Sequence, residues 1–160
     1  MNSLKGLKSI DECNHSQWLG NYFHRNFFGE QRRQLKEQVR QLKANLPPEV
    51  FVKHPTVKLL AAVMVGIKEK IVIDPFAPQF ALKGALKHYG RLKGMGLSDR
   101  YRLFFRAFEA ENRKVLIVLW LGFPRKEGDK NDCYEVFSRM VHNGDFPENL
   151  EQLLAETDVI

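Results

Sequence analysis

The chain has 160 residues, an apolar fraction of 44% and a formal net charge of +6, with a pI of about 9.4; that length suits one domain with a real core and is short for two. Two isolated cysteines, Cys13 and Cys133, exclude a disulfide framework and a thiolate zinc cluster, and no apolar run is longer than Leu59 to Val65, which is too short to span a bilayer. The basic balance points to an acidic partner, either nucleic acid or an acidic protein.

Residues 1–14 are polar and mixed and lack the continuous apolar stretch of a secretory leader. The expectation is a flexible arm ahead of a single domain over residues 15–160, in a reduced, cytoplasmic setting. "WLGNYFH", Trp18 to His24, reads as a first strand with imperfect alternation. From Glu30 to Asn45 the period changes: Leu35, Val39 and Leu42 fall at i, i+4 and i+7 among Arg, Lys, Gln and Glu, which predicts a helix with a narrow apolar stripe. "NLPPE" ends it, because proline cannot continue a helix and restricts the residue before it. Pro55 suits the first turn of a second helix, "TVKLLAAVMVGIKEK", apolar around most of its circumference and so mostly buried. "IVIDPFAP" is expected to be extended and to turn at Asp74-Pro75. "YGRLKGMG" reads as a strand and turn. Arg100 to Ala107 and Lys114 to Gly122 read as two strands joined by "EAENR". Asp132 and Glu135 have capping-box spacing and open a helix, Cys133 to His142, which Asn143-Gly144 stops. "PENLEQLLAE" is a last short helix.

Charge is uneven along this order. Between Lys83 and Arg106 lie seven basic residues, Lys83, Lys87, Arg91, Lys93, Arg100, Arg102 and Arg106, against the single acid Asp99, whereas Asn143 to Ile160 carries five acids and no base. The cluster falls on strands and their connecting loop rather than on a solvated helix, which favours an anion site over a decorative charged face. Strand alternation puts Arg100, Arg102, Phe104, Arg106 and Phe108 on one face and Tyr101, Leu103, Phe105 and Ala107 on the other. The second face can be core. The first interleaves cations with aromatics, a composition that holds phosphates and stacks bases. The plainer reading is an exposed face where arginines lie over rings, with Asp99 and Glu109 as counter-charges.

Several segments in order, "TVKLLAAVMVGIKEKIVIDP" with its proline turn and the Phe80 region, "DRYRLFFR", the apolar strand ending in Trp120, "DCYEVFSRM" and "FPENLEQL", resemble the YhaV toxins of the RelE superfamily. The resemblance covers roughly Pro55 to Leu154. It implies an RNA-cleaving toxin of a bacterial toxin–antitoxin pair. The implied fold is α+β and RelE-like: two N-terminal helices packed on a curved, mostly antiparallel sheet, with short C-terminal helices. A concave basic surface would take mRNA, in the best-known members within the ribosomal decoding site. By the same resemblance the family's "YR" arginine corresponds to Arg102, its basic-x-basic pair to Arg91 and Lys93, the arginine after the apolar strand to Arg125, and the tyrosine opening the last conserved helix to Tyr134. The loop between Trp120 and Tyr134 is shorter than the family pattern, so Lys126 or Lys130 could share or replace the role of Arg125. "KGMGLSDRYR" is longer, which loosens the register of Arg91 and Lys93 against Arg102. The implied partner is a PrlF-like, swapped-hairpin antitoxin, and operator DNA would be met only through the antitoxin complex. No cofactor and no membrane are implied.

The chemistry follows from the residue types. RNA can be cut by its own 2′-hydroxyl, given a base for that hydroxyl, an acid for the departing 5′-oxygen and positive charge on the phosphate. Arg102 and Arg125 suit the phosphate, since guanidinium forks hold its oxygens and stay charged. Tyr134 and Lys93 are the proton-transfer candidates. Tyr134 could equally stack on a base, or be a core residue in one stripe with Phe137 and Val141. Lys83, Lys87, Arg91, Arg100, Arg106 and Lys126 are candidates for binding the RNA backbone. A histidine pair would be a rival acid–base set, with His88 and His142 as its members. No ligand spacing suggests a metal. The alternative from another class is a non-catalytic RNA- or protein-binding module on the same fold.

Overall fold

Alternation along two neighbouring apolar runs makes the centre of the molecule. In the computed structural model, which describes residues 18–110, 113–123 and 132–160, β3 (Arg102–Ala110) and β4 (Arg113–Gly122) pair antiparallel over their length. β1 (Trp18–His24) runs parallel to β4 on its other side, and β5 (Thr157–Val159) closes that edge antiparallel to β1. β2 (Gly90–Leu92) pairs antiparallel with Leu103–Phe105 of β3. The result is a five-stranded mixed sheet, order β2-β3-β4-β1-β5, in an α+β chain.

Helices cover both faces. α1 (Glu30–Asn45) is entered through a π-helical segment, Arg25–Gly29, and α2 is a single turn, Pro48–Phe51. α3 (Pro55–Val65) continues through a π-helical segment, Gly66–Ile71. On this face Val63, Ile67 and Ile71 meet Leu103, Phe105, Leu116 and Val118. α4 (Asp132–His142) and α5 (Leu150–Leu154) cover the other face, where Cys133, Phe137 and Leu153 meet Phe104, Ile117 and Leu119. Among the described residues no helix is long and apolar enough to cross a membrane.

Two expectations are corrected here. Ile71 is the last residue of the π-helical segment and Val72 and Ile73 form a turn, so none of the three is extended; Ile67 and Ile71 keep the i, i+4 spacing that buries both. The strand expected from Arg100 starts at Arg102, leaving Arg100 exposed in the preceding loop. Two features consolidate the frame that carries the site. The Gln31 side chain donates to the Leu121 carbonyl and accepts from the Leu121 N–H, both at 2.8 Å, tying α1 to the end of β4. Residue Leu119 is an extra residue in β4 opposite the Phe104–Phe105 step, a β-bulge that turns both Leu119 and Trp120 toward the α4 face.

Candidate active site

Phe104 organises the site. Alternation sends Arg102 and Phe104 of β3 to the α4 face, and Arg91 of β2 is the cross-strand neighbour of Phe104. Trp120 stacks on Phe104 with centroids 5.8 Å apart, and Phe137 of α4 stacks at 4.2 Å. Tyr134, one turn earlier on α4, meets the Phe104 ring edge to face at 5.6 Å. α4 comes this close because Gly122 has no side chain: a Cβ there would sit 2.6 Å from the Trp120 ring and 3.0 Å from the Cys133 Cβ. Phe104 is fully buried in consequence, so it is a foundation for the site and not a platform for a base.

On that foundation two arginines converge on one phenol. The Tyr134 Oη accepts a hydrogen bond from Arg91 Nε at 2.9 Å and another from Arg102 Nε at 3.1 Å. Arg102 is only 3% exposed. A buried guanidinium is costly unless its donors are satisfied, and Arg102 Nη1 donates to the carbonyls of Asp99 at 2.7 Å and Tyr101 at 2.8 Å. Arg91 Nη1 donates to the Gln79 carbonyl at 2.9 Å. Both guanidinium planes are thereby held, and Nη2 of each has no hydrogen-bond partner among the described residues. A phenol oxygen has two acceptor positions and one donor. With both acceptor positions filled by cationic donors, neutral Tyr134 can only offer its hydrogen to a ligand.

Cys133 lies beside this cluster, 1% exposed. Burial pushes its thiol up, against a smaller opposing pull from the Arg102 guanidinium. It is a packing residue rather than a nucleophile.

The other sequence candidates scatter. Lys93, the residue after β2, is exposed. Arg106 shares the Arg102 face, but its guanidinium lies 4.4 Å over the Phe108 ring and 5.3 Å from the Tyr89 ring centroid. With exposed Lys87 it lines a groove of about 550 Å³ along the β3 edge. Lys83 is exposed ahead of a short 3₁₀ turn. Arg100 belongs to a different groove, together with Lys53 and Lys58. Arg125, Lys126 and Lys130 lie outside the described residues. Of the histidines, His24 is buried and bonds Glu156 at 2.8 Å, and His54 accepts from the Thr56 N–H as the cap of α3. His88 lines the β3-edge groove and His142 is exposed at the end of α4. Among the described residues no three His, Cys, Asp or Glu side chains gather as a metal site. Sequence reasoning passed over Gln79, whose carbonyl orients Arg91, and Gly122, which admits α4; neither carries a local signal.

The family model described as "Toxin with endonuclease activity, of toxin-antitoxin system", Toxin_YhaV, matches residues 22–158. "Toxin YhaV" of Escherichia coli O6:H1 is 38% identical over 133 residues, covering 78% of this chain and 82% of that protein. "Ribonuclease toxin YhaV" of Escherichia coli strain K12 matches with the same identity and coverage. No solved structure gives a significant match.

Proposed function

This chain belongs to the YhaV family of toxin–antitoxin endonucleases, and from that premise we propose that it cuts mRNA without a metal ion, by attack of the RNA's own 2′-hydroxyl. The observation that carries the proposal is the pair of guanidinium Nε–H groups held on the Tyr134 oxygen. It orients two cations, each with an Nη2 that no described residue takes, and directs one phenolic hydrogen away from them.

In the proposed reaction the scissile phosphate docks on Nη2 of Arg91 and Arg102, and Arg125 adds a third positive charge. The 2′-oxygen bonds to phosphorus as the bond to the 5′-oxygen breaks. Lys93, two residues beyond Arg91, takes the 2′-hydroxyl proton, and Tyr134 gives its proton to the departing 5′-oxygen. The products are a 2′,3′-cyclic phosphate and a 5′-hydroxyl, and solvent returns the proton from Lys93 to Tyr134. Charge held in place before the reaction stabilises the crowded phosphorane without reorganisation, and a positioned acid contributes about a hundredfold to ten-thousandfold.

The same reading includes a RelE-like character for the fold, action on mRNA at the ribosome in the cytoplasm, and neutralisation by a PrlF-like antitoxin that carries the complex to operator DNA. Incubating the purified chain with labelled RNA in EDTA, and separately with translating ribosomes in magnesium, tests it. Cutting in EDTA that is abolished by Arg102→Ala supports the metal-free reaction, and cutting on ribosomes that is abolished by the same change supports the Arg102 centre. Full activity in a folded Arg102→Ala protein overturns it.

A further inference from the structure

The three arginines that alternation would align are dealt to three places. Arg106 lies against aromatic rings and Arg102 lies under Tyr134. Arg100 lines a separate groove of about 410 Å³ between the start of α3 and the loop before β3. Lys53 and Lys58 share that groove, all three cations are exposed, and among the described residues no acidic side chain lines it. Leu59 and Ala62 make an apolar floor, and Tyr101 is its aromatic wall. The Tyr101 ring also meets half-exposed Phe123 at 6.1 Å.

We propose that this groove is a second nucleotide subsite, holding one base against Tyr101 and the adjoining phosphates on Lys53, Lys58 and Arg100. The inference rests on the ribonuclease reading of the Tyr134 centre. Three features favour a nucleotide over an acidic peptide segment. Cations around an aromatic, apolar floor match a ligand with phosphates and one flat ring, and stacking on an aromatic tolerates any base. The groove and the catalytic cluster share one chain segment: the Asp99 and Tyr101 carbonyls that hold Arg102 flank Arg100, and Tyr101 itself lines the groove. The start of α3 adds partial positive charge at the rim. The subsite therefore lies around the beginning of β3 from the cut, and Lys53 and Lys58 extend the RNA path onto the helical layer, which the basic cluster between Lys83 and Arg106 does not reach.

The test uses 2′-O-methyl RNA, which binds but has no nucleophile, with fluorescence anisotropy at several salt concentrations. Each single-strand phosphate contact contributes roughly 0.7 to the slope of log affinity against log salt. The combined variant Lys53→Ala, Lys58→Ala, Arg100→Ala is expected to lower that slope by about 2 for a longer oligonucleotide. It should leave dinucleotide binding and the melting temperature unchanged. Lys53→Gln with Lys58→Gln, both at exposed positions, repeats the measurement with a polar but uncharged side chain in each place and is expected to lower the slope by about 1.4. An unchanged slope in either variant overturns the subsite while leaving the Tyr134 reading intact. Weakened binding of the antitoxin with an unchanged RNA slope assigns the groove to a protein partner and also overturns it. Absence of any salt-dependent RNA binding by the wild-type chain overturns both readings.

Discussion

Tyr134→Phe removes one oxygen and keeps the ring against Phe104, which makes it the sharpest perturbation of the site. The lost oxygen is the acceptor for two guanidinium N–H groups, at 2.9 and 3.1 Å. The two losses are unequal. Arg91 is half-buried, so water can replace the phenol. Arg102 is 3% exposed, so its Nε–H is left without an acceptor. A hydrogen bond to a charged group contributes about 1.5–3 kcal/mol, and about 2–4 °C of melting temperature follows each kcal/mol in a chain of this size. The variant should melt roughly 3–12 °C lower while remaining folded at room temperature. If Tyr134 also supplies the proton to the 5′-oxygen, cleavage should fall by about a hundredfold to ten-thousandfold. Affinity for 2′-O-methyl RNA should change little, because both cations remain. Cleavage, affinity and melting are read on one preparation. A lower melting temperature with near-normal cleavage would refute the acid assignment and reduce Tyr134 to a clamp for Arg91 and Arg102.

Other perturbations address the frame and the residues around it. Gly122→Ala forces a Cβ against the Trp120 ring and the Cys133 Cβ, so it should destabilise by about 1–3 kcal/mol through overpacking and lower cleavage as α4 and Tyr134 move; unaltered melting and cleavage would show that α4 does not depend on that gap. Expression of the chain alone should arrest bacterial growth, and Arg125→Ala should relieve the arrest in a protein that still folds; full toxicity would pass the phosphate role to Lys126 or Lys130. Burial pushes the ionisation of the Cys133 thiol and of the Tyr22 and Tyr89 phenols to higher pH. Their stabilising contribution is therefore complete below the unfolded-chain values, about 8.5 for a thiol and about 10 for a phenol, and is lost as pH rises through the folded ones. Melting temperature should decline progressively above about pH 8.5, and Cys133→Ala should remove the earliest part of that decline; a profile flat to pH 10.5 would contradict it.

Most element boundaries were legible because each rests on a period. Leu35, Val39 and Leu42 announce α1, and the alternation through Leu103, Phe105 and Ala107 announces the β3 face that α3 covers. β5 was not legible: it is three residues at a sheet edge, held through backbone pairing with β1. The fate of the β3 face that carries Arg102 and Phe104 was misjudged for a different reason. Alternation says which residues share a face, but not whether an amphipathic helix distant in sequence lands on it, and Cys133 and Phe137 of α4 bury Phe104 completely. Arg100 was grouped with Arg102 because the strand appeared to begin two residues early. The meeting of Arg91, Arg102 and Tyr134 spans 43 and 32 residues, and no local spacing can reveal contacts of that separation. Only the family resemblance had put these three residues in one site.

The ends left on cleaved RNA test the central claim most directly. RNA cut by the purified chain, free or on ribosomes, can be mapped by mass spectrometry of the fragments on both sides of the break. Attack by the 2′-hydroxyl predicts a 2′,3′-cyclic phosphate on one fragment and a 5′-hydroxyl on the other, with no cutting when the nucleotide before the break is 2′-deoxy. A 5′-phosphate paired with a 3′-hydroxyl, or undiminished cutting of the 2′-deoxy substrate, would contradict it.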